Sequence, residues 1–368
     1  MTQAKTAVIE HDLQAAGIPA TMRAAVYRGP HCLSLESAPV PAISDDEILV
    51  RVHACGICGT DLKKIELGLV PPPRIFGHEI AGTVALAGSR VSQFKPGDRV
   101  AVYHHVPCGT CFFCQRRLFS QCPDYRRTGT TAGFEPAGGG FAEYVRVMEW
   151  IVRRGATRIP DGISFEEASF LEPLNTCLRA LDIAAIQEGE IVAIMGQGPV
   201  GLLLTQAAAR EGARVAALDL IERRLELALG MGAEIALNPA KEDALEALAG
   251  STNGRGPDLV VVATADPRAV GQAQEMVRRG GRVLLFAQTV PGETIPVDVS
   301  RICMEEKKLI GSYSSSMDLH DKAAEWIFSR KVRVAALISH RLPLDRLAEG
   351  VRLASTPSEH SLKVIIQP

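Results

Sequence analysis

The 368-residue chain predicts an α/β fold in two parts: a doubly wound parallel sheet and a β-rich, partly open barrel. Three observations predict it. From Met22 to about Gly155, short alternating or apolar runs are broken by Gly and Pro clusters, and no long helix is evident. From Glu190 the pattern switches to apolar strand, helix, apolar strand, the mark of a parallel sheet covered on both faces. Between the first of those strands and its helix stands Gly196-Gln197-Gly198-Pro199-Val200-Gly201, a glycine turn of dinucleotide-binding type.

Composition bounds the function. Hydrophobic residues make up 46% and charged residues 22%, as in a globular protein with sizeable cores. The formal charge is −2 and no basic block exists, so nucleic acid has no electrostatic handle. No apolar run reaches the roughly 18 residues of a membrane span. Residues 1–21 carry Glu10, His11 and Asp12 and lack the apolar core of a signal peptide, so they read as an extension ahead of the fold. Nine cysteines, four of them clustered, point to metal rather than disulfides and to a cytoplasmic setting.

In the β-rich part the strand candidates are 47–53, 80–87, 99–103 and 141–147, with turns at Pro71-Pro72-Pro73 and Lys95-Pro96-Gly97-Asp98. Ser164-Phe165-Glu166-Glu167 has capping-box spacing. Pro173 then opens a helix that carries Leu174, Leu178 and Leu181 on one face. Strands are expected at 191–195, 214–219, 259–263 and 282–287, and helices at 200–210 and 221–229. Beyond Gly311 come helices at 318–328 and 344–353 and a last strand at 361–366, a tail expected to return to the first domain.

The chemistry centres on Gly56-Ile57-Cys58-Gly59-Thr60-Asp61, followed by Gly77-His78-Glu79 and, further on, Glu172. Thiolate, imidazole and carboxylate are zinc ligands, and a catalytic zinc keeps one position open. Cys58 and His78, with Glu79 or Glu172, supply that set; Asp61 is placed to hold the second nitrogen of His78. Zinc lets an alcohol ionise near neutral pH, and Thr60 would pass the hydroxyl proton onward. Read singly, Cys58 is as readily a small core residue, and His78, Glu79 and Glu172 are ordinary polar residues; Glu172 could simply precede a proline. Cys55 is a competing thiolate in a Cys-x-x-Cys, ranked lower because only Cys58 is followed by the hydroxyl and carboxylate.

Cys108, Cys111, Cys114 and Cys122 fall within fifteen residues and can close a tetrahedral structural zinc site. Arg116, Arg117, Arg126 and Arg127 lie nearby but do not form the basic surface of a nucleic-acid ribbon. In the glycine turn, Gly196 turns the chain, Gly198 lets backbone approach a pyrophosphate, and Gly201 packs the helix on the strand. Pro199 and Val200 open the helix, whose amides favour an anion. Asp219 ends the next strand and is placed for the adenosine ribose, which favours NAD over NADP, although Arg223 and Arg224 could accept a 2′-phosphate.

On these motifs, together with Leu171-Glu172-Pro173-Leu174, residues 22–368 resemble the zinc-dependent medium-chain dehydrogenases, in the style of the sorbitol and threonine dehydrogenase branch. The resemblance implies a GroES-like catalytic domain (22–175 and 313–368), a Rossmann NAD domain (176–312), a cleft between them, and a homo-dimer or homo-tetramer. It implies two zinc ions per chain and a place for Arg224 on the adenine. Glu172 stands where another branch carries a second cysteine, and Lys63 where alcohol dehydrogenases carry a relay histidine. The expected activity is hydride transfer between NAD and the CH–OH group of a polyol, sugar alcohol, cyclitol or amino alcohol, with Tyr103, His104, Phe134 and Glu135 as candidate pocket residues. The alternatives are a threonine-type or NADP-linked alcohol dehydrogenase and, from another class, a non-catalytic nucleotide-binding sensor.

Overall fold

The computed structural model describes residues 13–104, 106–127 and 138–368. The chain divides into one unit that runs to Glu172 and resumes at Ser316–Pro368, and a second unit, Pro173–Ser315.

The first unit is built on β3 (Ile48–Gly56), the run that leads into Cys58. It is buried almost throughout because it is central, with neighbours on both edges. Antiparallel partners are β5 (Glu79–Ala87), β7 (Tyr144–Val147) and β16 (Lys363–Gln367). The sheet continues through β6 (Arg99–Val102) to β8 (Ala156–Arg158), and on the other side β15 (Ile338–Pro343) runs parallel to β16. A smaller sheet orders β2 (Cys32–Pro39), β1 (Thr21–Gly29) and β4 (Arg74–Ile75). Ile48, Leu49, Val50, Phe141 and Ile366 are fully buried in the core these sheets share.

The C-terminal strand matters for the site. In the β16–β3 pairing Ile365 faces Gly56 and Ile366 faces Cys55, so the end of the chain braces the strand that delivers the cysteine motif. Leu13 and Ile18, ahead of β1, also sit in this core. The preceding residues 1–12, and with them Glu10, His11 and Asp12, lie outside the described residues.

The second unit is a six-stranded parallel sheet: β11 (Ala233–Leu237), β10 (Arg214–Leu218), β9 (Ile191–Met195), β12 (Leu259–Val262), β13 (Arg282–Leu285) and β14 (Lys308–Gly311), in that order. Chain order reverses beside β9, which makes this the doubly wound Rossmann arrangement. Central strands β9 and β12 are buried at every position, hence their continuous apolar sequence. Edge strands β11 and β14 are partly exposed and carry Glu234 and Lys308, which is why periodicity alone passes over them.

The local signals are visible too. Ser164 Oγ accepts from the Glu167 amide at 3.1 Å, and Glu167 Oε2 accepts from the Ser164 amide at 2.9 Å, the reciprocal capping box. The helix that follows starts at Leu171, two residues earlier than the proline suggests, so Glu172 is helical rather than extended. A proline within the first turn loses no intrahelical hydrogen bond, which permits this start.

Candidate active site

Three ligand atoms, one each from Cys58, His78 and Glu79, lie within 4.8 Å of one another. Each arrives by a different route. Cys58 follows the end of β3 and precedes the helix Gly59–Leu67. Glu79 begins β5, the antiparallel neighbour, where its residue pairs with Gly56. A Cβ at Gly56 would come within 1.9 Å of Glu79 Oε2, so only glycine lets the carboxylate pass beside the strand.

Asp61 ties this set together. Its Oδ2 accepts from the Cys58 amide at 3.2 Å, and its Oδ1 stands 3.3 Å from His78 Nδ1. Asp61 is fully buried. Burial opposes its charge, but His78 outweighs burial and holds the carboxyl below the ordinary aspartate value. Burial likewise opposes charging His78, yet Asp61 and Cys58 hold its imidazole well above the usual range. The pocket thus sets a buried carboxylate against a histidine ring beside a thiol, the environment of a cation site. The donor set fits zinc: one thiolate, one imidazole, one carboxylate.

Glu172 is not in that three-residue group. Its Oε1 lies 3.8 Å from His104 Nδ1, and the His104 ring is 5.0 Å from the His78 ring. Glu172 and His78 thus both border the His104 ring, and Glu172 also helps hold the charge of Lys363. Tyr103 is fully buried behind His104, with ring centroids 5.5 Å apart. Phe134 and Glu135 lie outside the described residues. Thr60 and Lys63 are on the helix that follows Cys58, both half-buried; desolvation lowers the Lys63 pKa, against the pull of Cys58. Cys55 is fully buried, and burial, with Asp61 and Glu79, pushes its thiol well above the ordinary value, against a redox role.

One residue of the site was not read from sequence. Lys363 opens β16, and its Nζ lies 2.7 Å from both Glu79 oxygens and 3.1 Å from the Ile57 carbonyl. Burial opposes its charge, but Glu79 and Cys58 hold it above the ordinary lysine value. The available signal was a lysine at the head of the apolar run Val364-Ile365-Ile366.

The four cysteines form a second cluster. Sulfur separations are 3.5 Å for Cys111–Cys114, 3.6 Å for Cys108–Cys122 and 3.9 Å for Cys108–Cys114. A tetrahedron with zinc–sulfur bonds of ~2.3 Å has edges of about 3.8 Å. Hydrogen bonds from Thr110 bring Cys108 down to about 6, while burial pushes Cys114 up to about 12. Four sulfurs this close can hold a cation among them once deprotonated, and the set would close with no free position.

In the second unit, the Gly196–Gly201 turn caps β9 and starts the helix Pro199–Arg210 with proline at its first position. A Cβ at Gly201 would meet the Gly196 carbonyl at 1.8 Å, so the third glycine is required for the helix to close on the strand. At Gly198 the only atom of the described residues near a Cβ position is Arg224 Nη1, at 3.9 Å, which leaves backbone accessible to a pyrophosphate. Asp219 Oδ2 accepts from the Gln197 amide at 2.6 Å and Oδ1 from the Ile221 amide at 2.9 Å. The carboxylate is thereby aimed at the turn, with Arg224 Nη1 3.8 Å away. The residues present fit a dinucleotide.

Comparison with known proteins decides the family. Residues 44–160 match the alcohol dehydrogenase GroES-like domain, and residues 199–329 match the zinc-binding dehydrogenase domain. Sorbitol dehydrogenase of Bacillus subtilis (strain 168) is 36% identical over 357 residues, 95% of this chain and 98% of that one. The chain is a zinc-type medium-chain dehydrogenase. Another relative, L-threonine 3-dehydrogenase of Bacillus velezensis, is 31% identical over 87% of this chain and 91% of its own. A zinc-binding dehydrogenase of Sinorhizobium meliloti 1021, solved bound to NADP, superimposes with a TM-score of 0.86 at 30% identity, covering 95% of this chain and all of that one. This medium-chain dehydrogenase is thus an alcohol-type oxidoreductase, and no helix among its described residues is long and apolar enough to cross a membrane.

Proposed function

We propose that the protein oxidises a secondary alcohol of a polyol or sugar alcohol, with NAD as hydride acceptor and zinc at Cys58, His78 and Glu79. The observation that carries this is the convergence of half-buried Cys58 with buried His78 and Glu79, with Asp61 beside His78. Relatives named for sorbitol and D-arabinitol support a polyol over a simple alcohol. Glu172 is then a carboxylate at the rim of the cluster, beside His104, and an alternate ligand.

Zinc held there supplies Lewis acidity that makes a hydroxyl acidic near neutral pH. Nicotinamide held by the second unit supplies the empty position that takes the hydride. The protein's own groups do the rest. Asp61 orients the His78 ring through Nδ1 and leaves Nε2 for the metal. Lys363 fixes the Glu79 carboxylate. Thr60 Oγ1 would accept the substrate hydroxyl proton as its own proton leaves to solvent. The Gly198 backbone and the helix N-terminus receive the pyrophosphate, and Asp219 receives the ribose hydroxyls. Its negative charge disfavours a 2′-phosphate, the basis for preferring NAD over NADP.

The cysteine lobe holds a second, structural zinc at Cys108, Cys111, Cys114 and Cys122. Leu309 on the edge strand β14 and Tyr313 just after it are exposed, as are Val299 and Met304 at the ends of the helix that precedes β14, which supports a homo-oligomer. The reduced, clustered thiols support a cytoplasmic setting.

The test is a panel of polyols, amino alcohols and simple alcohols with NAD and with NADP, following reduced cofactor. Turnover of polyols with NAD is expected. Cofactor binding at full zinc with no turnover of any alcohol would instead make this a nucleotide sensor, and a preference for threonine would move it to the amino-alcohol branch.

A further inference from the structure

His320 lies far from the motifs and was given no role by them. It opens the helix His320–Phe328 on the returning segment of the first unit and is 5% exposed. Its Nε2 is 2.6 Å from Thr157 Oγ1, a contact across 163 residues of sequence. Thr157 is on β8, whose partner β6 runs directly into Tyr103 and His104. The His320 ring also meets the Tyr103 ring edge-on, with centroids 5.3 Å apart at 73°. Tyr103 touches His104, and His104 faces both His78 and Glu172. Two residues before His320, Asp318 holds Arg117 of the cysteine lobe at 2.6 Å. The short segment 317–320 is thus fastened on one side to the lobe and on the other to the wall of the cluster.

We propose that His320 is a positioning residue for substrate: by its bond to Thr157 and its edge on Tyr103 it sets where the His104 ring stands beside the metal cluster. The proposal rests on the alcohol dehydrogenase reading of that cluster. A buried imidazole with one hydrogen bond and one aromatic contact has few alternative rotamers. Burial also lowers its pKa, so it stays neutral and brings no charge into the wall. Tyr103 is fully enclosed, so a shift of its ring is passed to its neighbours rather than absorbed. His104 Nδ1 faces Glu172 beside the cluster, and the placement of that ring would then govern how a polyol is received there, and so substrate affinity more than the chemical step.

The test uses zinc-loaded full-length enzyme and the best polyol from the panel. His320→Phe keeps the ring on Tyr103 but loses the bond to Thr157, Thr157→Val loses it from the other side, and His320→Gln can keep it through the side-chain amide. His320→Phe and Thr157→Val should each raise the polyol KM about tenfold, with kcat changed less than about twofold and the NAD KM unchanged. The double variant should be no worse than either single one, and His320→Gln should stay within about threefold of wild type. Zinc content and melting temperature are measured alongside. A fall in melting temperature at unchanged KM would make the bond merely structural and overturn the proposal, as would additive effects in the double variant. If His320→Phe does not fold, Thr157→Val carries the test alone. A wild-type protein that turns over no alcohol would overturn the activity itself, whereas an active wild type with unaltered variants overturns only the positioning role.

Discussion

Lys363 Nζ stands 2.7 Å from both carboxylate oxygens of Glu79, and the two side chains are 4% and 1% exposed. A charge pair so enclosed is held together mainly by the cost of separating it. Removing one partner leaves the other uncompensated away from water, which costs about 3–5 kcal/mol.

Lys363→Met is therefore expected to lower unfolding free energy by about that amount, read by urea titration of protein with no zinc at the Cys58 cluster, since a bound cation would itself compensate Glu79. Lys363→Met with Glu79→Gln should recover a large part of the loss, because no lone charge remains. A single variant as stable as wild type would mean that Glu79 has another counter-charge.

Zinc content separates the two clusters. Cys111→Ser should reduce stability or oligomer assembly and drop the metal from about two zinc per chain to about one, with the remaining zinc still supporting turnover. Elemental analysis beside an activity assay checks it. An intact oligomer that has lost all turnover would assign the lobe a direct part in the chemistry.

The cofactor preference rests on Asp219. Asp219→Ala should raise the KM for NAD about tenfold or more, the worth of a charge-assisted hydrogen bond, and change the KM for NADP far less. Initial rates with each cofactor decide it, and equal effects on both would remove the basis for preferring NAD.

Acid sensitivity should follow Asp258, which accepts the Ile191 amide at 2.8 Å and Arg278 Nε at 2.6 Å, and so ties the start of β9 to its neighbours. Burial opposes its charge, but these bonds outweigh it and hold the carboxyl below the ordinary aspartate value. A folded value below the unfolded one gives stability that is fully present above about pH 4 and is lost as pH falls through the folded value. Asp258→Asn should then cost about 1–2 kcal/mol at neutral pH and progressively less in acid. Unfolding midpoints at the two ends of that range check the sign, and a gap that does not close would mean the charge is not what matters.

Much of this protein was written locally. The parallel sheet was legible because β9 and β12 are buried on both faces and so are apolar throughout. The glycine turn was legible because chain geometry, not contact with distant parts, demands glycine at Gly196 and Gly201. The four cysteines announced their cluster because all lie on one short lobe. What sequence left open was every contact made by residues distant in the chain. It offered Glu79 and Glu172 as equal partners for Cys58; the pairing of β3 with β5 brings Glu79 beside Cys58, while the helix start at Leu171 sets Glu172 against His104. Lys363 and His320 return from the C-terminal segment, and nothing near them in sequence marks their partners, which lie 284 and 163 residues away. Backbone conformation and periodic burial are short-range and leave a pattern in neighbouring residues. Charge pairing and ring packing in a closed core depend on which strands meet, and only the folded chain decides that.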